Sequence, residues 1–515
     1  MGRKAGKGHV AARTGQPGLL LGTAQAAEEL GVSPSTLRRW LKEGRLQGRK
    51  VGKRWRFERS ELGSVVDLNV QEPAPAAAPP TQSVVERCER QLDALLLEGG
   101  LGQGKLEEAV ADLDAQVNAY ARGSDPAARH LMAKLLLHAV RSTASDLHIE
   151  PMGQRAKVRQ RIDGALAQVL ELPNELAPSL TDELKRWTCL DLGVRRVPQD
   201  GRAVLSVEGR EVDLRISTMP SLYGETVALR ILDRHVVLLD VDRLGFEPAA
   251  LERYQRILRR PNGLILVSGP TGCGKTTTIY ASLRALNTPD RKIMTAEDPV
   301  EYTFDGITQT PIDEASGLGF ARAARTMLRQ APNVMFIGEV RDPEVAQLVV
   351  SAALTGHLVF TTMHANDALA ASTRLIQMGV KPFLVSSGLQ CAVAQRLVRL
   401  NCPECSAPYV PKPEELDALG LKEDDRGRTF HRGGGCARCH QLGFRGRAAV
   451  YELLEFTREV RDAVAEGSAE RLAEAARASG WRPLREVALD KLFRGETTIE
   501  EVLRETCFED RARMV

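Results

Sequence analysis

Residues 269 to 276 read Gly269-Pro270-Thr271-Gly272-Cys273-Gly274-Lys275-Thr276, the glycine and Lys-Thr spacing of a Walker A phosphate loop. An apolar run of strand character, residues 264–267, precedes it, and residues 277–286 suit a helix, which is the context a P-loop needs. The chemistry is phosphate binding. The glycines let successive backbone N–H groups curl around a β-phosphate at a helix N-terminus, Lys275 neutralises β/γ oxygens, and Thr276 offers its hydroxyl to Mg²⁺. Gly269 through Thr277 are the expected ATP cradle. A chance glycine-rich turn is the bland alternative, and the strand before and helix after argue against it.

Two acidic groups stand at the ends of apolar runs. Val334-Met335-Phe336-Ile337 leads to Gly338-Glu339, which has the shape of a Walker B strand, and Glu339 is the expected water-polarising residue. The short run 292–294 leads to Glu297-Asp298, and Pro299 ends it, so both carboxylates are expected at a strand's C-terminal edge, where parallel sheets bind ligands. Either acid alone reads equally well as a solvated loop charge. Two of them beside a P-loop favour a metal or water role. No Asp precedes Ile337-Gly338, so Mg²⁺ coordination is expected to rest on Thr276, Glu339 and the Glu297/Asp298 pair.

Cys402-Pro403-Glu404-Cys405 and Cys436-Ala437-Arg438-Cys439 form a CxxC…CxxC pattern, whose four thiolates give the tetrahedral sulfur set that Zn²⁺ prefers. Gly433-Gly434-Gly435, Gly443 and Gly446 permit the tight turns of such knuckles. A redox dithiol needs only one CxxC, so the expectation is a structural zinc with no open position for catalysis. Cys88, Cys189, Cys273, Cys391 and Cys507 have no partner spacing and read as free thiols. Cys273 lies inside the phosphate loop, where alkylation is expected to block ATP.

These groups need several elements to position them. At 515 residues the chain is expected to hold three or four folded units. With 43% hydrophobic, 27% charged and 4% aromatic residues it has ordinary globular composition, which sets aside the disordered and fibrous classes. Strand–helix alternation from 264 to about 397 predicts a parallel sheet covered by helices, a RecA-like P-loop core. The window 345–366 lacks charged side chains, but Thr355-Gly356-His357 interrupts it, so it reads as a buried helix and a buried strand rather than a span. The stretches 156–162, 203–207 and 212–217 read as strands of a preceding α+β domain. The predicted fold class is α/β multidomain: residues 1–66 a winged helix-turn-helix, 67–83 a Pro/Ala-rich linker, 84–123 a small helical segment, 124–240 the α+β domain, and 241–515 the ATPase domain. The last includes a zinc-binding insert, 400–447, and a helical tail. No secretory signal is evident, and a cytoplasmic protein is expected.

Residues 1–66 carry 14 Lys+Arg against 5 Asp+Glu, so of the chain's +3 formal charge this segment supplies +9 and the remainder −6. Only the front segment looks polyanion-seeking. Residues 21–62 resemble the small winged helix-turn-helix domain of excisionase and MerR-type regulators, with Ser35–Lys42 in the recognition-helix position. Arg38, Arg39 and Lys42, with Lys53, Arg54 and Arg56 on the wing, are the candidate DNA contacts. Trp40, Leu37 and Leu41 read as core. A helix-turn-helix also serves as a protein-docking module.

From about residue 131 to 455 the chain resembles the ATPases that power type II secretion and type IV pilus assembly. The resemblance is carried by Ser145-Asp146-Leu147-His148-Ile149-Glu150-Pro151, Arg161-Ile162-Asp163-Gly164, Pro198-Gln199-Asp200-Gly201-Arg202 and residues 215–232. In the motor it is carried by the acidic box 297–301, Ile337-Gly338-Glu339-Val340-Arg341-Asp342, the histidine box 355–367, and Gln395-Arg396-Leu397-Val398-Arg399 before the cysteines. The resemblance implies a homohexameric ring, peripheral to the inner membrane, with ATP between the α+β domain and the motor domain. It implies that Arg215 and Arg230 reach the phosphates, that His357 and His364 organise the γ-phosphate site, and that the cysteine insert docks on an inner-membrane platform protein. Without the family, each histidine reads as a hydrogen-bonded core residue. The competing reading is a DNA-targeted P-loop ATPase or nucleotide switch; a scaffold with an inactive ATPase is a third.

Overall fold

The computed structural model describes residues 82–98, 101–118, 125–233, 239–421 and 427–506, with residues 20–23, 25–26, 41, 49–51 and 54–58 of the front segment. The chain divides into two compact units, 1–80 and 81–515. In the first, β1 (Leu20–Gly22), β2 (Arg49–Val51) and β3 (Arg54–Glu58) form an antiparallel sheet in the order β1-β3-β2. The β2–β3 hairpin is the expected wing, with Phe57 buried and Arg56 half-buried. Arg38, Arg39, Lys42 and Lys53 lie outside the described residues, as does most of the two expected helices; Arg54 is described only as part of β3.

The second unit begins with α1 (Gln82–Glu98), α2 (Gln103–Asn118) and α3 (Pro126–Arg141). Asp125 caps α3, its side chain accepting from the Ala127 N–H at 3.1 Å, and Pro126 sits in the first turn where no donor is lost. Beyond α3 a six-stranded antiparallel sheet runs in the order β6-β5-β4-β9-β8-β7: β4 (Asp146–Met152), β5 (Arg155–Ile162), β6 (Ala165–Pro173), β7 (Gln199–Val207), β8 (Arg210–Ser221) and β9 (Gly224–Asp233). The sequence reading named three of these. Of the other three, β4 carries Pro151 and β6 carries Glu171 and ends at Pro173, which blur their apolar pattern, while β9 alternates without interruption and pairs with both β4 and β8. Hairpins join most of these strands, and a 3-10 turn with α4 (Ala177–Trp187) separates β6 from β7. Apolar residues of α1 and α2, including Leu92, Leu96, Val110 and Leu113, join one cluster with Leu131, Leu135 and Ile149, so the helical segment shares the core of the α+β sheet.

The motor is a seven-stranded sheet in the order β12-β11-β13-β14-β10-β15-β18. Its parallel strands are β10 (Gly263–Ser268), β11 (Ile293–Glu297), β12 (Ile307–Pro311), β13 (Val334–Ile337), β14 (Leu358–Met363) and β15 (Leu389–Asn401). All six residues of β10 are buried, as a strand covered on both faces requires. The uncharged window becomes α8 (Pro343–Leu354) and β14; among the described residues no helix is long and apolar enough to cross a membrane. One expectation is corrected. Residues beyond 401 were read as insert and helical tail, yet β18 (Phe444–Glu455) returns antiparallel to β15 and closes the motor sheet. The insert is a loop between two paired strands. Its short ribbon is β16 (Ser406–Tyr409) with β17 (Phe430–Gly433), and four helices between Arg458 and Thr506 follow β18.

On β18, Glu452 is 1% exposed and accepts from the Ala368 N–H (2.8 Å), the Trp481 indole (3.1 Å) and the Leu484 N–H (3.0 Å). Burial outweighs these donors and pushes its carboxyl up to about 7. The folded pKa is raised above the ordinary 4.5, so this group's stabilisation is full below that value and is lost as pH rises through about 7. Glu452→Gln should therefore remove a pH-dependent loss of up to about 3 kcal/mol between those limits, measured as the flattening of urea-unfolding stability against pH relative to the parent.

Candidate functional site

The loop between β10 and α6 (Lys275–Leu286) adopts the cradle conformation its glycines allow. Gly269, Gly272 and Gly274 have φ of 146°, 79° and 90°, and Gly274 caps α6. At Gly269 a Cβ would lie 2.6 Å from both the Cys273 sulfur and the Gln395 carbonyl oxygen, so no larger residue fits. Lys275 Nζ donates to the carbonyls of Gly269 (2.8 Å) and Pro270 (2.9 Å), folded onto its own loop. Burial, aided by Arg396, lowers its pKa, while Cys273 and Glu339 oppose the shift. Thr276 is half-buried and Thr277 exposed. Cys273 is 4% exposed and its thiol is raised chiefly by burial, so the expected alkylation site is a poorly accessible, protonated thiol.

Glu339 follows β13, which is separated from β10 by β14 alone. Its carboxylate pairs with Arg341 and lies 3.7 Å from His364 Nε2, and Arg341 also reaches Asp298 at 3.6 Å. Thr362 Oγ1 donates to the Gly338 carbonyl (2.7 Å), pinning the strand end to β14. Glu339, Asp298 and His364 are thus brought together at the edge that carries the phosphate loop.

Two calls change. Glu297 is 3% exposed: its carboxylate accepts from Tyr280 and, at 2.5 and 3.1 Å, from Thr295 and Gln309. Period-two alternation puts it on the face of Ile293, under α6, instead of at the open edge that Asp298 occupies. It positions Tyr280, whose hydroxyl also accepts from the Glu301 N–H (3.3 Å). His357 precedes β14 while His364 follows it, so the two histidines lie at opposite edges of the sheet, roughly 20 Å apart. His357 Nδ1 contacts the Ala352 carbonyl at 3.1 Å, and its own carbonyl accepts from the Gly263 N–H. Within the protomer it is a structural residue and not part of the phosphate site.

Across the α+β sheet, strand register aligns Arg202 (β7), Arg215 (β8) and Arg230 (β9), then Asp146 (β4) and Arg161 (β5). Like charges directly opposite are unfavourable unless anions intervene. Here Arg202 pairs with Asp213, Arg215 with Glu301 at 3.2 Å, and Asp146 lies 3.5 Å from Arg230 and 3.6 Å from Arg161. The Arg215–Glu301 contact brings this cationic row to the acidic box of the motor. The sequence named Arg215 and Arg230; Arg202 and Arg161 join them through register.

At the insert, Cys402, Cys405, Cys436 and Cys439 place their sulfurs within 4.8 Å of one another, with edges of 3.8 Å (402–436), 3.8 Å (405–439) and 3.6 Å (436–439). A regular tetrahedron with zinc–sulfur bonds of about 2.3 Å has edges of about 3.8 Å, so the donor set fits the metal. The Cys436 and Gly443 N–H groups donate to the Cys439 sulfur at 3.2 and 3.3 Å. Gly443 and Gly435 take positive φ as expected, but Gly433 has another duty: a Cβ there would lie 1.9 Å from the Gly443 carbonyl oxygen.

A phosphate loop on a central parallel strand, with an acid on the strand two places away, defines a RecA-like P-loop ATPase. Within that class the chain belongs to the type II/IV secretion system protein family, whose family model matches residues 121–504, while a helix-turn-helix domain model matches 20–63. It is 46% identical over 377 residues to type II secretion system protein E of Pseudomonas aeruginosa, covering 73% of this chain and 75% of that one. It is 40% identical over 418 residues to the type IV pilus assembly ATPase PilB of Thermus thermophilus, covering 80% and 47%. In fold it matches the Legionella pneumophila ATPase DotB, with TM-score 0.54 at 21% identity over 72% of this chain and 94% of that one.

Proposed function

We propose that the chain is a cytoplasmic homohexameric motor that turns ATP hydrolysis into mechanical work on a pilus or pseudopilus, docked on an inner-membrane platform protein. Mg·ATP is held by Gly269 to Thr277, with Lys275 on the β/γ oxygens and Thr276 and Asp298 serving the metal. Glu339 orients the attacking water, His364 steadies Glu339, and Arg215 and Arg230 stabilise the charge that develops on the transferred phosphoryl group. The single observation that carries the reading is the Arg215–Glu301 contact, which joins the arginine row to the acidic box beside the phosphate loop. Closure of that junction on nucleotide is how chemistry becomes movement. Zn²⁺ held by the four cysteines fixes the insert's shape.

The helix-turn-helix match and the +9 front segment favour a second reading, in which DNA directs the ATPase. Under the motor reading, the purified full chain hydrolyses ATP as a hexamer by light scattering, at a rate that duplex DNA leaves unchanged. DNA-dependent turnover would replace the motor reading with the second one.

A further inference from the structure

Gln395 lies on β15 at the level where the phosphate loop leaves β10: Ser268 registers with Ala394, so Gln395 stands beside Gly269. It is 1% exposed, and both ends of its amide are committed to the nucleotide loop. Its Nε2 donates to the Cys273 carbonyl at 2.7 Å, and its Oε1 accepts from Thr278 Oγ1 at 2.8 Å, one turn into α6. Thr278 is shared with Tyr451, the cross-strand partner of Gln395 on β18, at 3.1 Å. Two of the loop's three glycines are fitted to the same residue. A Cβ at Gly274 would meet Gln395 Nε2 at 3.2 Å, and one at Gly269 would meet its carbonyl oxygen. Next to it, Arg396 is 2% exposed and donates to the Gln395 carbonyl (2.9 Å) and to the Asn366 carbonyl (2.8 Å) in the segment that carries His364.

A buried amide that ties the last residues of the loop to the first turn of the helix that follows fixes the loop's shape before any ligand arrives. The Cys273 carbonyl, if released, would turn the following peptide and with it the N–H groups aimed at phosphate. We infer that Gln395 is a positioning residue for nucleotide binding, clasping the phosphate loop to the strand pair that closes the motor sheet. This rests on the ATPase reading of the loop and deepens it.

The test uses the full chain and fluorescently labelled Mg·ADP, with thermal unfolding measured in parallel without nucleotide. Gln395→Met keeps the volume and removes both hydrogen bonds. It should raise the nucleotide Kd about tenfold, as loss of one to two buried hydrogen bonds implies, with the variant folded at the assay temperature. Gln395→Ala should do the same or more. A lowered unfolding midpoint with parental Kd in both variants would overturn the proposal, because that is what a purely structural amide gives. Weak binding by the Ala variant with parental binding by the Met variant would also overturn it, assigning the effect to packing. Lys275→Ala separates the two claims. If it abolishes binding while both Gln395 variants bind normally, the ATPase reading stands and the clasp fails; if the parent itself binds no nucleotide, the ATPase reading fails.

Discussion

Glu339→Gln should bind ATP as the parent does and hydrolyse it about a hundredfold more slowly, or slower still. The glutamine keeps the shape of the side chain and its place after β13, where Gly338 is packed against Phe320 and pinned by Thr362. It loses the charge proposed to polarise water, which also holds Arg341 and, at 3.7 Å, His364. Arg341 keeps Asp298, 3.6 Å away, as an acidic partner. Phosphate release measured at saturating ATP, beside binding of a fluorescent nucleotide, distinguishes the outcomes. Normal turnover in the variant would remove Glu339 from the mechanism, and lost binding would mean that it serves the metal more than the water.

Loss of one sulfur from the insert should have the second largest effect. The parent should carry one zinc per chain through gel filtration with a weak chelator, and Cys439→Ser should retain almost none, its affinity lowered by on the order of a hundredfold or more. Cys439 is the choice because its sulfur also receives the Cys436 and Gly443 N–H groups, and a serine oxygen there, on a shorter bond and without thiolate charge, serves both the metal and those donors less well. The region between Cys402 and Gly443 should become open to limited proteolysis while the sheet around β10 stays protected. A metal-free parent with the same protease resistance would refute the zinc assignment.

Much of the site could be read from local chemistry. A glycine-rich loop with Lys-Thr, and two CxxC pairs, specify their ligands through short spacings that only a few backbone conformations satisfy. Asp298 and Glu339 were legible because each follows an apolar run, and runs in a parallel sheet end at one edge; His364 came from the family resemblance, since by residue type alone it reads as a core histidine. The same logic misplaced Glu297, because a one-residue step along a strand changes face, and the sequence does not say which face lies under α6. The resemblance grouped His357 with His364 because the histidine box is continuous in sequence, while β14 runs through its middle and carries its two histidines to opposite edges. Gln395 was quoted only as part of a motif before the cysteines. A glutamine inside an apolar strand signals a buried partner, but that partner is 122 residues away along the chain.

The sequence by itself determined the ATP cradle, the tetracysteine set, the α/β class and the separate basic front module, since these depend on residue type and close spacing. Tertiary structure alone decided the closure of the motor sheet by β18, the alignment of Arg202, Arg215, Arg230 and Arg161 in one row, and the clasp on the phosphate loop. Those depend on register between strands far apart in the chain, which is fixed by what each strand buries and not by any local pattern.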